Sequence, residues 1–137
     1  MGEMYTERLL DHYRRPRNKG RLEGAGASTA TGQVLAAREY NSLCGDEVTV
    51  QVTIEEGRVA EARFEGRGCA LCMGAASILT EVIQGRSLDD LKGLDQDEFL
   101  AELQSAIRPA RLKCALLPWM AFRHAVFGED EWPLLER

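Results

Sequence analysis

Val48-Thr49-Val50-Gln51-Val52-Thr53-Ile54-Glu55-Glu56-Gly57-Arg58-Val59-Ala60-Glu61-Ala62-Arg63-Phe64-Glu65 reads as a β-hairpin. Val48, Val50, Val52 and Ile54 alternate with Thr49, Gln51 and Thr53, the period of a strand with one buried face. Ala60, Ala62 and Phe64 alternate in the same way with Glu61, Arg63 and Glu65. Glu55-Glu56-Gly57 suits a three-residue loop with glycine at the left-handed position. Pairing Val52 with Ala60, Val50 with Ala62 and Val48 with Phe64 joins the apolar faces. A slip of one residue would set Val52 against Glu61. Extended outward, this register puts Asp46 opposite Gly66 and Cys44 opposite Gly68. Cys44, Asp46 and Cys69 therefore gather at the open end of the hairpin.

Helical periodicity surrounds the hairpin. Residues 4–14 read as a helix with Tyr5, Leu9 and Tyr13 on one face, closed by Pro16 and Gly20. Residues 23–32 are small and form a connector, and residues 33–40 are a weak strand candidate. Residues 70–84 carry an apolar stripe of Leu71, Ala75, Ile78, Leu79, Val82 and Ile83, with Gly85 as cap. Ser87–Leu91 and Asp95–Gln104 read as short acidic helices. The last helix spans Leu112–Phe127, with Leu112, Leu116, Trp119, Met120 and Phe127 buried, Gly128 as its stop and Pro118 as a kink or loosening point.

The chain of 137 residues is expected to be a single domain, residues 1–137, with 45% hydrophobic and 28% charged residues. A net charge of −5 argues against a nucleic-acid partner. Arg8, Arg14, Arg15, Arg17, Lys19 and Arg21 crowd the N-terminal stretch, a solvated face or a docking patch for an acidic partner. No apolar run reaches membrane length and no signal peptide is evident, so the expected location is cytoplasmic, with no membrane partner. Thiols stay reduced there, and four cysteines read as metal-binding or reactive.

Three cysteines stand where elements begin or end: Cys44 before the hairpin, Cys69 at the start of one helix and Cys114 in the first turn of another. Asp46 follows Cys44 by two positions. Thiolates suit zinc and iron–sulfur clusters, whereas a carboxylate binds those ions less firmly. The set Cys44, Asp46, Cys69 and Cys114 describes a site that holds a soft metal centre and releases it. A helix N-terminus stabilises a Cys69 thiolate. Arg111 and Lys113 would do the same for Cys114. Gly45, Gly66 and Gly68 fit a site where backbone N–H groups approach sulfur. Cys72, one turn into its helix, is assigned to packing, with a Cys-x-x-Cys redox pair as the sharper alternative. His12 and His124 are read as packing or hydrogen-bonding residues.

Cys44-Gly45-Asp46, Gly68-Cys69 followed by a helix with Ala76-Ser77, and Lys113-Cys114-Ala115 resemble the IscU/SufU type of iron–sulfur cluster assembly protein. So do Asp11-His12-Tyr13, Pro16-Arg17-Asn18 and Gly20. The resemblance implies an α+β fold, a small antiparallel sheet of about three strands packed on one face by helices. It implies a metal site on Cys44, Asp46, Cys69 and Cys114 and a cysteine desulfurase as sulfur donor. Four features depart from the pattern. Lys113 stands where the IscU branch has histidine. Ile107-Arg108-Pro109-Ala110-Arg111 replaces that branch's chaperone-gripped Leu-Pro-Pro-Val-Lys, so its dedicated chaperone pair is a doubtful partner. Ser42 replaces a proline, and Cys72 a serine. The run from Pro109 to Ala115 and Trp119 look more like SufU, although there is no room for the SufU insertion before the third cysteine.

The reading is a scaffold rather than an enzyme. Cys44 or Cys114 accepts sulfur, Arg111 and Lys113 stabilise the thiolates, and a transient 2Fe–2S centre is built and passed to apo-proteins. The alternatives are a zinc-dependent sulfurtransferase of the SufU kind and a small interaction domain in which zinc is only a folding clip.

Overall fold

The computed structural model describes residues 5–22, 33–42 and 45–129. The expected connector at 23–32, and Cys44 itself, lie outside the described residues. Helix α1 spans Glu7–Arg14, followed by strands β1 (Gln33–Asn41), β2 (Asp46–Glu55) and β3 (Arg58–Arg67). Helices α2 (Ala70–Ile83), α3 (Leu88–Lys92) and α4 (Gln96–Leu103) follow. A 3-10 turn at Pro109–Arg111 then leads into α5 (Leu112–Phe127). The strands form one antiparallel sheet in the order β1-β2-β3, and α2 and α5 pack against it. This is the α+β architecture expected.

The hairpin forms, but its register differs by two residues. Val50, not Val48, faces Phe64, and Val52 faces Ala62. Two local features cause the shift. The loop is a two-residue turn, with both Glu56 (φ 52°) and Gly57 (φ 74°) left-handed, as a type I′ hairpin requires. A bulge follows: Thr53 pairs with Glu61 and Ile54 with Val59, leaving Ala60 as the extra residue. Val59 is therefore buried and Ala60 exposed. Face alternation forbids odd slips only; a shift of two keeps Val48, Val50, Val52, Ala62 and Phe64 on the buried face, while the bulge turns Ala60 outward.

Segment 18–20 covers the outer edge of β3. Gly20 N–H donates to the Phe64 carbonyl (2.7 Å) and Phe64 N–H to that of Asn18 (3.0 Å). This pairing protects an edge that would otherwise present unpaired groups.

Helix α1 begins at Thr6, whose Oγ1 accepts the Leu9 N–H. Leu9 and His12 are its buried residues, while Tyr13, expected on the buried face, is 45% exposed. The helix seats Leu9 on Gly74, where an added Cβ would come within 2.8 Å of the leucine. The residue one turn along that face is His12, so Tyr13 turns outward.

Helix α2 is buried from Leu71 to Thr80 without a break, rather than along one stripe. It lies between α1, α5 and the sheet, and a helix enclosed by neighbours is apolar all round. Gly85 is left-handed (φ 84°) just beyond its end. The short acidic helices start at Ser87 and Asp95, whose side chains accept the Asp90 and Glu98 N–H groups. Helix α5 is buried from Cys114 to Arg123 and stays helical through Pro118. Proline has no N–H, so the bond forgone is the one to the carbonyl of Cys114, four residues back.

Candidate metal centre

Asp46, Cys69 and Cys114 come from the starts of β2, α2 and α5, and meet at the end of the sheet. One donor atom from each lies within 4.8 Å of the others. Asp46 and Cys114 are buried, and Cys69 is half-buried. The expected fourth member, Cys44, lies outside the described residues. Its two flanks converge nonetheless: Asn41 pairs with Asp46 across β1 and β2, and the Asn41 carbonyl accepts the Gly45 N–H (2.8 Å).

Each sulfur is held by its own surroundings. Cys69 is the N-cap of α2, and its backbone N–H donates to Asp46 Oδ1 (3.1 Å). Asp46 Oδ2 lies 3.8 Å from Cys69 Sγ. Arg111 Nη2 donates to Cys69 Sγ (3.0 Å), and the same guanidinium interacts with Cys114. Asn41 Nδ2 approaches Cys114 Sγ at 3.8 Å. A hydrogen bond from Cys114 pulls the Cys69 thiol well below the ordinary cysteine range, to about 6, against the opposing effect of burial. The Cys72 N–H and Arg111 lower it further, and the Asp46 charge raises it. Its hydrogen bonds to Cys114 and Cys69 hold Arg111 firmly protonated, against the opposing effect of burial.

Gly68 makes room for the carboxylate rather than for sulfur. A Cβ there would lie 2.6 Å from Asp46 Oδ1. Gly66 clears the β2 backbone instead, since a Cβ would lie 2.2 Å from the Glu47 carbonyl oxygen. Lys113 is exposed on the first turn of α5. Cys72 is fully buried in the core, and the three described cysteines form no disulfide. His12 Nδ1 bonds Ser77 Oγ (2.7 Å) and His124 Nδ1 bonds Glu39 (2.9 Å), away from the cluster, as their sequence reading expects. Asn41 was not singled out in the sequence. Its one signal is an amide ending a strand beside Cys44-Gly45-Asp46.

The chain that carries this cluster of two cysteines and an aspartate matches the NifU-like N terminal domain family across residues 4–129. The chain belongs to that family. This NifU-like protein is 30% identical over 144 aligned positions to the zinc-dependent sulfurtransferase SufU of Bacillus subtilis (strain 168), covering 93% of this chain and 92% of that one. That alignment is longer than the 137 residues here, so the Bacillus protein carries residues this one lacks. It is also 30% identical over 123 positions to the iron–sulfur cluster assembly scaffold protein IscU of Escherichia coli (strain K12), covering 89% and 91% of the two chains. In structure it is similar to FiSufU of Fervidobacterium islandicum AW-1, described as an iron–sulfur cluster assembly scaffold protein for the SUF system. That likeness has a TM-score of 0.69 and 25% identity, covering 88% of this chain and 95% of that one. The N-terminal NifU-like protein of Brucella abortus shares the fold, with a TM-score of 0.70 at 20% identity, covering 89% and 91%. No helix among the described residues is long and apolar enough to cross a membrane.

Proposed function

We propose that this NifU-like protein is an iron–sulfur cluster assembly scaffold, a single cytoplasmic domain. It receives desulfurase-derived sulfur, builds a 2Fe–2S centre and hands it to apo-proteins. The observation that carries the reading is the convergence of Asp46, Cys69 and Cys114 donor atoms within 4.8 Å. Two soft thiolates and one harder carboxylate bind iron or zinc with one weak point, which suits a cluster that must leave.

In this reading Cys44 completes the ligand set from the loop that Asn41 and Gly45 close. Cys44 or Cys114 accepts the sulfur, and Asp46 is the ligand that lets go. Arg111, bonded to Cys69 and interacting with Cys114, spreads positive charge over the thiolates. Lys113 adds to that field from the surface. Likeness to IscU supports the scaffold role, and likeness to SufU supports a second reading, a zinc-dependent sulfurtransferase on the same residues.

Anaerobic reconstitution with iron, cysteine and a cysteine desulfurase, followed by visible spectroscopy, tests the proposal. A 2Fe–2S spectrum that decays as an apo-ferredoxin gains its cluster is the expected result. Tightly held zinc, no cluster and faster desulfurase turnover would transfer the assignment to the sulfurtransferase. Zinc with no effect on the desulfurase would leave only a structural clip.

A further inference from the structure

Cys72 takes no part in the metal set, yet its position is specific. Cys69 is the N-cap of α2, with extended backbone (φ −70°, ψ 168°), and Cys72 stands three residues on. That position is the one from which a helical side chain folds back to the N-cap residue, as glutamate does in a capping box. Helix α2 has 14 residues and a single cysteine, at that place. The Cys72 N–H faces the Cys69 sulfur. Cys72 itself is closed to solvent, and neither thiol is in a disulfide. Bulk oxidants therefore meet Cys69 first, and Cys72 responds to what Cys69 carries.

We propose that Cys69 and Cys72 form an internal dithiol that reduces a persulfide sulfur held on Cys69 to sulfide. The inference rests on the sulfur-acceptor reading of the same site. Sulfur reaches Cys69 from a persulfide donor, or from Cys114, whose sulfur belongs to the same cluster. In either case the Cys69 thiolate attacks the outer sulfur, the bond between the donor's two sulfurs breaks, and the donor, glutathione or Cys114, leaves as thiolate. The Cys72 thiolate then attacks the inner sulfur of Cys69–S–SH. A Cys69–Cys72 bond forms and the inner–outer sulfur bond breaks. The electron pair leaves on the outer sulfur as HS⁻, which takes up the proton that Cys72 gave. The outer sulfur gains two electrons and the two cysteines supply them. A thiol such as glutathione returns the disulfide to the dithiol. The scaffold would thereby make the sulfide that a cluster needs from the zero-valent sulfur that a persulfide delivers.

The test uses the full chain, metal-free and reduced, with glutathione persulfide as the sulfur source and no desulfurase. Sulfide is measured colorimetrically and thiol states by tryptic mapping. Cleavage after Arg67 and Arg86 leaves Cys69 and Cys72 on one peptide, and cleavage after Lys113 puts Cys114 on another. The expected result is about one sulfide per chain, with the Gly68–Arg86 peptide losing two hydrogens. Cys72→Ser, with Cys72→Ala as a second variant should the first fail to fold, is expected to keep the extra sulfur on Cys69 and release roughly tenfold less sulfide. A wild-type chain that keeps its extra sulfur would overturn the dithiol and leave the acceptor reading standing. A disulfide joining the two peptides would assign the electrons to Cys69 and Cys114 instead. Failure of wild type and variants alike to take up sulfur would overturn both readings.

Discussion

The Asp46 carboxylate accepts the backbone N–H of Cys69 through Oδ1 at 3.1 Å and turns Oδ2 to the Cys69 sulfur at 3.8 Å. One side chain thus caps α2 and sits in the donor cluster. Strand, helix and donor cluster are joined at a single residue.

Gly68→Ala should disturb this joint while leaving Asp46, Cys69 and Cys114 all in the chain. Its Cβ would lie 2.6 Å from Oδ1 and 3.0 Å from Cγ of Asp46, so the carboxylate must move. Zinc affinity is expected to fall roughly 10- to 100-fold, as when the support of a ligand is lost. Competition with a chromophoric chelator measures it. Unchanged affinity would mean that the carboxylate does not bind metal in this position.

The two duties proposed for Asp46, holding the Cys69 N–H and releasing metal, can be separated by substitution. Asp46→Asn keeps an oxygen for the Cys69 N–H, while Asp46→Ala removes it and should cost about 1 kcal/mol of stability. Both should slow cluster transfer to an apo-ferredoxin, because neither offers the labile carboxylate. Denaturant melts give the first quantity and transfer kinetics the second. Transfer at the wild-type rate from an equally loaded Asp46→Asn protein would count against the labile-ligand role.

Cys69 should titrate early in the metal-free protein. The Cys114 hydrogen bond foremost, then the Cys72 N–H and Arg111, lower its pKa to about 6. A depressed thiol pKa favours the thiolate, so reactivity is present above that pH and lost as pH falls through it. Iodoacetamide labelling of the Gly68–Arg86 peptide is expected to be half-maximal near there, rather than near the ordinary value of about 8.5. Removing Cys114 or Arg111 should move the midpoint up. A midpoint in the ordinary range for the wild-type chain would refute the arrangement of donors around Cys69.

Ser77 anchors α1 to α2. Its hydroxyl oxygen accepts the Arg17 N–H (2.8 Å) and meets His12 Nδ1 (2.7 Å) inside the protein. Burial is the main influence lowering the His12 pKa, which favours the neutral ring in this contact. Ser77→Ala strands both groups and should destabilise the fold by about 1–3 kcal/mol. Chemical denaturation reads this directly. A loss within a few tenths of a kcal/mol would show that water replaces the hydroxyl.

Much of this protein was legible along the chain because the deciding interactions are local. Alternation in Val48–Ile54 determined which residues face the core. Position alone put Cys69 at the N-cap of α2 and Cys114 in the first turn of α5, and both are found there. Register was another matter. Alternation carries parity but no absolute offset, so the left-handed Glu56–Gly57 pair and the bulge at Ala60 moved the pairing by two. Tyr13 lies outside the buried face because a face is defined by what packs on it: Leu9 seats on Gly74 and His12 bonds Ser77, both of α2. The unbroken burial of α2 and α5 likewise depends on neighbours distant in sequence. The nearness of Cys114 to Asp46 and Cys69 is tertiary in the same sense. Hairpin geometry brings Asp46 to the start of α2, but only the packing of α5 across β1 and β2 carries Cys114 to Asn41 and Arg111 to Cys69. Periodicity and capping act over a few residues and are written in order along the chain, whereas the meeting of three element starts depends on how whole helices fill the space above a sheet.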